Sequence, residues 1–113
     1  MPKKNIIIVT GGAGFVGTNL INLLVKKTKY KIISLDNYSS GSKQNHIKNL
    51  RVQYIRGKTS NIKKILDKKK NKINSIFHFG EFSRIFQSFK KFDECYEYNS
   101  IGTKSVFKFC LDN

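Results

Sequence analysis

The stretch from Asn5 to Lys27 constrains the fold of this chain more than any other part of the sequence. Asn5-Ile-Ile-Ile-Val9 is a continuous β-branched run, and glycines follow it at once. A run without polar alternation suits a strand buried on both faces, as in a parallel sheet covered by helices. Beyond the glycines, Val16, Leu20, Leu23 and Leu24 recur at helical spacing between Phe15 and Lys27. Lys26, Lys27 and Lys29 fall where cations complement the dipole at a helix C-terminus. Strand, turn and helix thus follow one another with no linker between them.

The pattern then repeats. Lys31 to Asp36 reads as a second strand ending in an acidic residue, and the turn-rich Asn37-Tyr-Ser-Ser-Gly41 follows it. One or two helical turns are expected within Gln44 to Leu50, and a third strand over Val52 to Ile55, closed by Gly57. Ile62, Ile65 and Leu66 form a narrow amphipathic stripe, with Ser60 or Asn61 as its cap and Asn71-Lys72 as its end. Ile73 to Phe79 is the fourth strand. A last helix is expected over Glu94 to Leu111, placing Tyr98, Ile101, Val106, Phe109 and Cys110 near one face; Phe82 to Phe92 has no clear pattern. No internal repeat is present. Strands alternating with helices specify an α/β fold, and right-handed crossovers give a parallel sheet of order 3-2-1-4, the first half of a doubly wound (Rossmann) sheet. With a fourth strand and nothing beyond it, the sheet is expected to be incomplete, residues 1–113 forming the N-terminal portion of a domain with an open edge.

Composition sets outer limits. Leu, Ile, Val and Phe supply 35 of 113 residues, above the roughly 20% below which highly charged chains disorder. No apolar run approaches the roughly 20 residues of a membrane span, and Ile6 to Val9 is shorter than a signal-peptide core, so a cytoplasmic protein without a membrane partner is expected. Cys95 and Cys110, with no second cysteine pair and no histidine at ligand spacing, read as two reduced, partly buried thiols and not as a metal site. The net charge of +15 comes from 22 basic against 7 acidic residues. Lys63, Lys64, Lys68, Lys69, Lys70 and Lys72 form its densest cluster, which reads as a solvated helix face. It holds no aromatic residue to stack on a base and no Arg to read one, so nucleic acid is not the expected partner.

The glycines carry more information than the charge. Gly12, Gly14 and Gly17 have the GxGxxG spacing, and Gly11, Gly14 and Gly17 the GxxGxxG spacing. Between a buried strand and a helix, such a turn lets backbone approach a pyrophosphate at the helix N-terminus. Asp36 follows Gly17 by 19 residues, at the end of the second strand, where a carboxylate accepts from ribose hydroxyls and repels a 2′-phosphate. The pair predicts a dinucleotide site that prefers NAD to NADP.

Thr10-Gly-Gly-Ala-Gly-Phe-Val-Gly17, Leu35-Asp-Asn-Tyr-Ser-Ser-Gly41, Ile76-Phe-His-Phe-Gly80 and Asn99-Ser-Ile-Gly-Thr103 together resemble the NAD-dependent epimerase/dehydratase group of extended short-chain dehydrogenases, typified by the UDP-glucose 4-epimerases. The resemblance covers essentially the whole chain. It implies that Phe15 and Val16 place backbone amides near the pyrophosphate, that Asp36 and Asn37 hold the adenosine, and that Tyr38, Ser39, Ser40 and Gly41 wrap it. It sets Lys58 and Thr59 at the adenine, and Phe79, Gly80, Glu81 and Ser83 along the nicotinamide side. Asn99 resembles the family's asparagine that contacts the cofactor from beneath the sheet. The implied function is the NAD-binding portion of a nucleotide-sugar epimerase or dehydratase; the alternative is a stand-alone NAD-binding module, or one subunit of a split enzyme.

Three departures qualify the resemblance. The family usually follows its third strand with Gly-Asp, whose carboxylate accepts from the adenine amino group; here Gly57-Lys58 presents an ammonium, which cannot accept. Two small residues usually follow the fourth strand, where this chain has Gly80-Glu81, with Arg84 as the nearest partner for the carboxylate. Family members use a helical tyrosine as base, a lysine four residues on and a nearby Ser or Thr, and these residues are expected beyond Asn113. Tyr54 and Lys58 share that spacing, but they run from a strand through a glycine, where four residues span roughly 13 Å in place of the roughly 5 to 6 Å of a helical pair. Tyr54 is therefore read as strand packing and His78 as a hydrogen-bonded structural residue. No catalytic residue is assigned, and a nucleotide sugar is expected as substrate only with the remaining half, as a homo-oligomer or with a separately encoded partner.

Overall fold

The computed structural model describes residues 3–80 and 92–113. Four parallel strands, β1 (Ile6–Thr10), β2 (Lys31–Asp36), β3 (Val52–Arg56) and β4 (Ile73–His78), form one sheet of order β3-β2-β1-β4. The expected α/β order 3-2-1-4 is the one observed. Helix α1 (Phe15–Lys27) connects β1 to β2, and a short 3-10 turn (Lys43–Asn45) precedes β3. The β3–β4 connection holds a 3-10 turn (Thr59–Asn61), α2 (Ile62–Leu66) and a second 3-10 stretch (Asp67–Lys72). Helix α3 (Phe92–Tyr96), one π-type turn (Glu97–Gly102) and α4 (Thr103–Asp112) complete the described chain.

The continuous apolar run of β1 is buried at every position because helices cover both faces of the sheet. Its side chains alternate between two cores. Ile6 and Ile8 pack with Ile33, Leu35, Ile62, Leu66, Val106 and Phe109, whereas Ile7 and Val9 pack with Ile21 and Ile32 against α1.

Two helical stripes differ from expectation. In α1 the buried residues are Gly17 and Ile21, flanked by half-buried Leu20, Leu24 and Val25, while Val16 and Leu23 are exposed. In the C-terminal region the π-type turn adds a residue to the helical register. Gly102, Val106 and Phe109 therefore face the sheet, and Ile101 and Cys110 turn outward, Cys110 being an exposed thiol and Cys95 half-buried. Asn61 precedes α2 without a side-chain cap bond, because the 3-10 turn before it already supplies the entry. The lysine cluster does form a largely solvated face, Lys70 pairing with Asp67 at 3.6 Å and Lys69 donating to Gln53 at 3.1 Å. Among the described residues no helix is long and apolar enough to cross a membrane, and no cluster of metal-ligating side chains occurs.

Candidate functional site

The turn after β1 is built by close backbone approach. Gly11 has φ +71°, and a Cβ there would stand 2.8 Å from the Phe79 carbonyl, so the turn passes directly over the end of β4. Its N–H donates to Leu35 O on β2 at 2.8 Å, which fixes it to the other neighbouring strand. Gly17 abuts Gly11 O, leaving no room for a side chain where α1 begins. Gly14 caps α1 without a side-chain acceptor, and the first intrahelical bond is Thr18 N–H to Gly14 O at 2.9 Å. The amides of Phe15, Val16 and Gly17 are thus the unpaired donors of the first turn, as at any helix N-terminus. They point along a positive helix end, which favours an anion there.

Asp36 ties this turn to the next strand. Its Oδ2 accepts from Ala13 N–H at 2.9 Å and its Oδ1 from Tyr38 N–H at 2.8 Å, although the residue is only 8% exposed. A carboxylate has about four acceptor positions, so two remain for hydroxyl donors. The segment after β2 is held just as firmly. Tyr38 takes φ +62°, its hydroxyl lies 2.7 Å from His46 Nε2, and His46 stacks on Tyr54 with ring centroids 3.7 Å apart. Tyr54 Oη accepts from Ile47 N–H at 2.8 Å, which ties β3 to the connecting loop, while the side chain packs against the core of Ile7, Val9, Ile21 and Ile32, as expected of a strand residue. Burial, and next to it the Asp36 charge, raises the Tyr38 pKa above 10.0; burial also raises that of Tyr54, outweighing the Ile47 hydrogen bond.

These elements enclose a crevice of about 510 Å³ at the C-terminal ends of the strands. Its walls include Gly11, Gly14, Phe15, Val16 and Gly17 from the first turn; Asp36, Asn37, Ser39 and Ser40 from the second; Thr59 from the third; and Phe79 and Gly80 from the fourth. Leu35, Asn45 and Gly57 also line it, and the sequence reading did not assign them to the site. Asn45 Nδ2 donates to Ala13 O at 2.8 Å, a contact across 32 residues with no local signal.

Other expected residues stand outside the crevice wall. Gly12 packs over Ser34 and Ile21 inside the fold, and Gly41 backs onto Asp36 and Ala13. The Tyr38 side chain turns to His46. Lys58 Nζ pairs with Glu97 Oε1 at 3.1 Å. Asn99 lies in the π-type turn, its Nδ2 donating to Cys95 Sγ at 3.5 Å. Glu81, Ser83 and the segment Phe82 to Lys91 fall outside the described residues, as does the Tyr98 side chain.

His78 has the structural role expected of it. Gly80 N–H donates to Thr10 Oγ1 at 2.9 Å, Thr10 Oγ1 lies 2.6 Å from His78 Nδ1, and His78 Nε2 lies 2.9 Å from Thr103 Oγ1. One chain of hydrogen bonds thereby joins the ends of β1 and β4 to α4.

A parallel sheet of order 3-2-1-4, with a glycine turn at its switch point and an acidic residue ending β2, defines a doubly wound nucleotide-binding class. The chain belongs to the NAD dependent epimerase/dehydratase family, whose model matches residues 7–113. It is 33% identical over 110 residues to the ADP-L-glycero-D-manno-heptose-6-epimerase of Brachyspira hyodysenteriae, covering 94% of this chain and 33% of that protein. It is likewise 33% identical over 116 residues to the dTDP-D-glucose 4,6-dehydratase of Dictyostelium discoideum, covering 92% of this chain and 25% of that one. Among solved structures it resembles the UDP-N-acetylglucosamine 4-epimerase of Methanobrevibacter ruminantium, with a TM-score of 0.82 and 25% identity over 100% of this chain and 36% of that chain. The chain therefore spans about a third or less of the length of these relatives.

Proposed function

We propose that this chain is the NAD-binding portion of a nucleotide-sugar epimerase or dehydratase, working in the cytoplasm, with residues 1–113 forming the N-terminal part of its dinucleotide-binding domain. The observation that carries the reading is the coupling of Asp36 to the glycine turn: one carboxylate, bonded to Ala13 N–H, stands in the same crevice as the free amides of α1. The fit is specific. Gly14 carries no side chain at the helix cap and Gly17 lets α1 close onto the Gly11 carbonyl, so that backbone can approach a pyrophosphate, and Asp36 retains acceptor capacity for a ribose diol.

Bound there, NAD would supply a hydride acceptor and, after rearrangement of the sugar, a hydride donor. The chain's own residues bind and orient. The amides of Phe15, Val16 and Gly17 neutralise phosphate charge, Asp36 fixes the ribose and disfavours a 2′-phosphate, and Asn37, Ser39 and Ser40 close over the adenosine. Phe79 and Gly80 present the end of β4 to the nicotinamide side, held by the bond of Gly80 to Thr10. No helical Tyr-x-x-x-Lys pair stands in this sequence; Tyr54 is engaged with His46 and Ile47, and Lys58 with Glu97. Proton transfer to and from the sugar is accordingly assigned to residues outside this chain, contributed by a continuing, partner or separately encoded half. Thermal denaturation at millimolar NAD tests the proposal: a cofactor-dependent rise in Tm is expected, and a folded protein whose Tm ignores NAD would refute it.

A further inference from the structure

The crevice occupies one end of the sheet, and the other end carries a cavity of its own. Its volume is about 460 Å³, within the size range of small-molecule sites. Its walls come from the starts of β1, β2 and β3 and from the 3-10 stretch before β4, so the length of the strands, roughly 15–20 Å, separates it from the glycine turn. Five of the residues that line it are basic, namely Lys3, Lys31, Arg51, Lys69 and Lys72, and among the described residues none that lines it is acidic. The parallel sheet brings these cations together: Lys31 opens β2, Arg51 directly precedes β3, and Lys69 and Lys72 lead into β4.

Their charge is not neutralised within the fold. Arg51 engages three of the five N–H donors of its guanidinium with backbone carbonyls: Nη1 donates to Thr28 O at 2.9 Å and to Tyr30 O at 3.0 Å, and Nη2 to Val25 O at 2.7 Å. Those bonds close the end of α1 and fix the cation in place. Lys69 donates to the neutral Gln53 Oε1 at 3.1 Å, which directs its ammonium but leaves its charge. Among the described residues no carboxylate pairs with any of the five. Charges of one sign beside apolar walls, here Ile6, Ile32 and Ile33, focus a field that draws counter-ions. Four of the five are ammoniums, point charges that bond in several directions and so match clustered tetrahedral phosphates better than one planar carboxylate. No aromatic side chain lines the cavity to stack on a base. We propose that this cavity binds a compact anion carrying several phosphate groups, at the end of the sheet opposite the dinucleotide crevice.

Inorganic tripolyphosphate is the probe. In calorimetric titration of the purified protein at about 150 mM salt, where freely exposed charges are screened beyond about 8 Å, it should bind at least about tenfold more tightly than orthophosphate, because one molecule engages several cations at once. The triple variant Lys31→Gln, Lys69→Gln, Lys72→Gln should weaken that binding at least about tenfold, the scale of one charge-assisted hydrogen bond. The control Lys63→Gln, Lys64→Gln, Lys68→Gln makes the same change in net charge outside the cavity wall and should alter it by less than about twofold. Equal losses in the two variants would make the binding a property of net charge and overturn the inference. So would no binding of tripolyphosphate, binding no tighter than that of orthophosphate, or displacement of the anion by NAD. If the cavity variant does not fold, chemical acetylation of the unsubstituted protein decides: tripolyphosphate should protect Lys31 and Lys72 more than Lys63 and Lys64, and equal protection would overturn the inference.

Discussion

Asp36 serves both fold and site, and its two roles can be separated by substitution. Asp36→Ala removes the acceptor from the buried Ala13 N–H and from Tyr38 N–H, which should cost about 2 kcal/mol or more of stability. Asp36→Asn keeps one acceptor oxygen and should cost only about 1 kcal/mol, yet relax any preference for NAD over NADP, since the negative charge facing a 2′-phosphate is gone. Denaturant melts and paired titrations distinguish the two effects. The tyrosines make a second prediction. The pKa values of Tyr38 and Tyr54 are raised on folding, so the stability they contribute is fully present below about pH 10 and declines as the pH rises through their folded-state values. Alkaline unfolding should therefore begin above pH 10 and flatten in a Tyr38→Phe, Tyr54→Phe double variant; an unchanged profile would mean that neither phenol is protected by the fold. At this scale the sequence was legible wherever spacing carried the signal, as at Gly11, Gly14, Gly17 and Asp36. It was silent on Asn45, whose contact with Ala13 depends on how a loop returns to the turn.

Element boundaries were most legible where burial is uniform. The limits of α1 and β2 match the expected ones because the glycine turn sets where α1 starts, and β2 is buried without interruption from Ile32 to Asp36. The helix faces were less legible. An extra residue in the π-type turn shifts the helical register, so a stripe drawn at a constant period finds Val106 and Phe109 but adds the exposed Ile101 and Cys110 and omits Gly102. α2 shows how little regular helix a crossover needs: it has 5 residues, and Ile62 and Leu66 are fully buried in the core shared with β1 and α4. Leu66→Ala should destabilise the protein by about 2–5 kcal/mol in denaturant unfolding, the cost of a buried cavity. A loss below about 1 kcal/mol would show that the β3–β4 crossover is not part of the cooperative core.

For the whole molecule, the +15 charge and the crevice make different demands. Most of the lysine cluster is solvated, so binding to nucleic acid should be nonspecific and weaken steeply with salt. A gel shift seen at low ionic strength should be lost near about 150 mM salt, where exposed charges are screened beyond about 8 Å; retention there, with sequence preference, would mean a second binding function. The central claim concerns the crevice and is tested most directly by calorimetric titration of the protein with NAD and with NADP. The account predicts one site per chain that binds NAD at least about tenfold more tightly than NADP, because Asp36 faces the ribose hydroxyls. No binding of NAD at millimolar concentration by the folded protein, or equal or tighter binding of NADP, would contradict it.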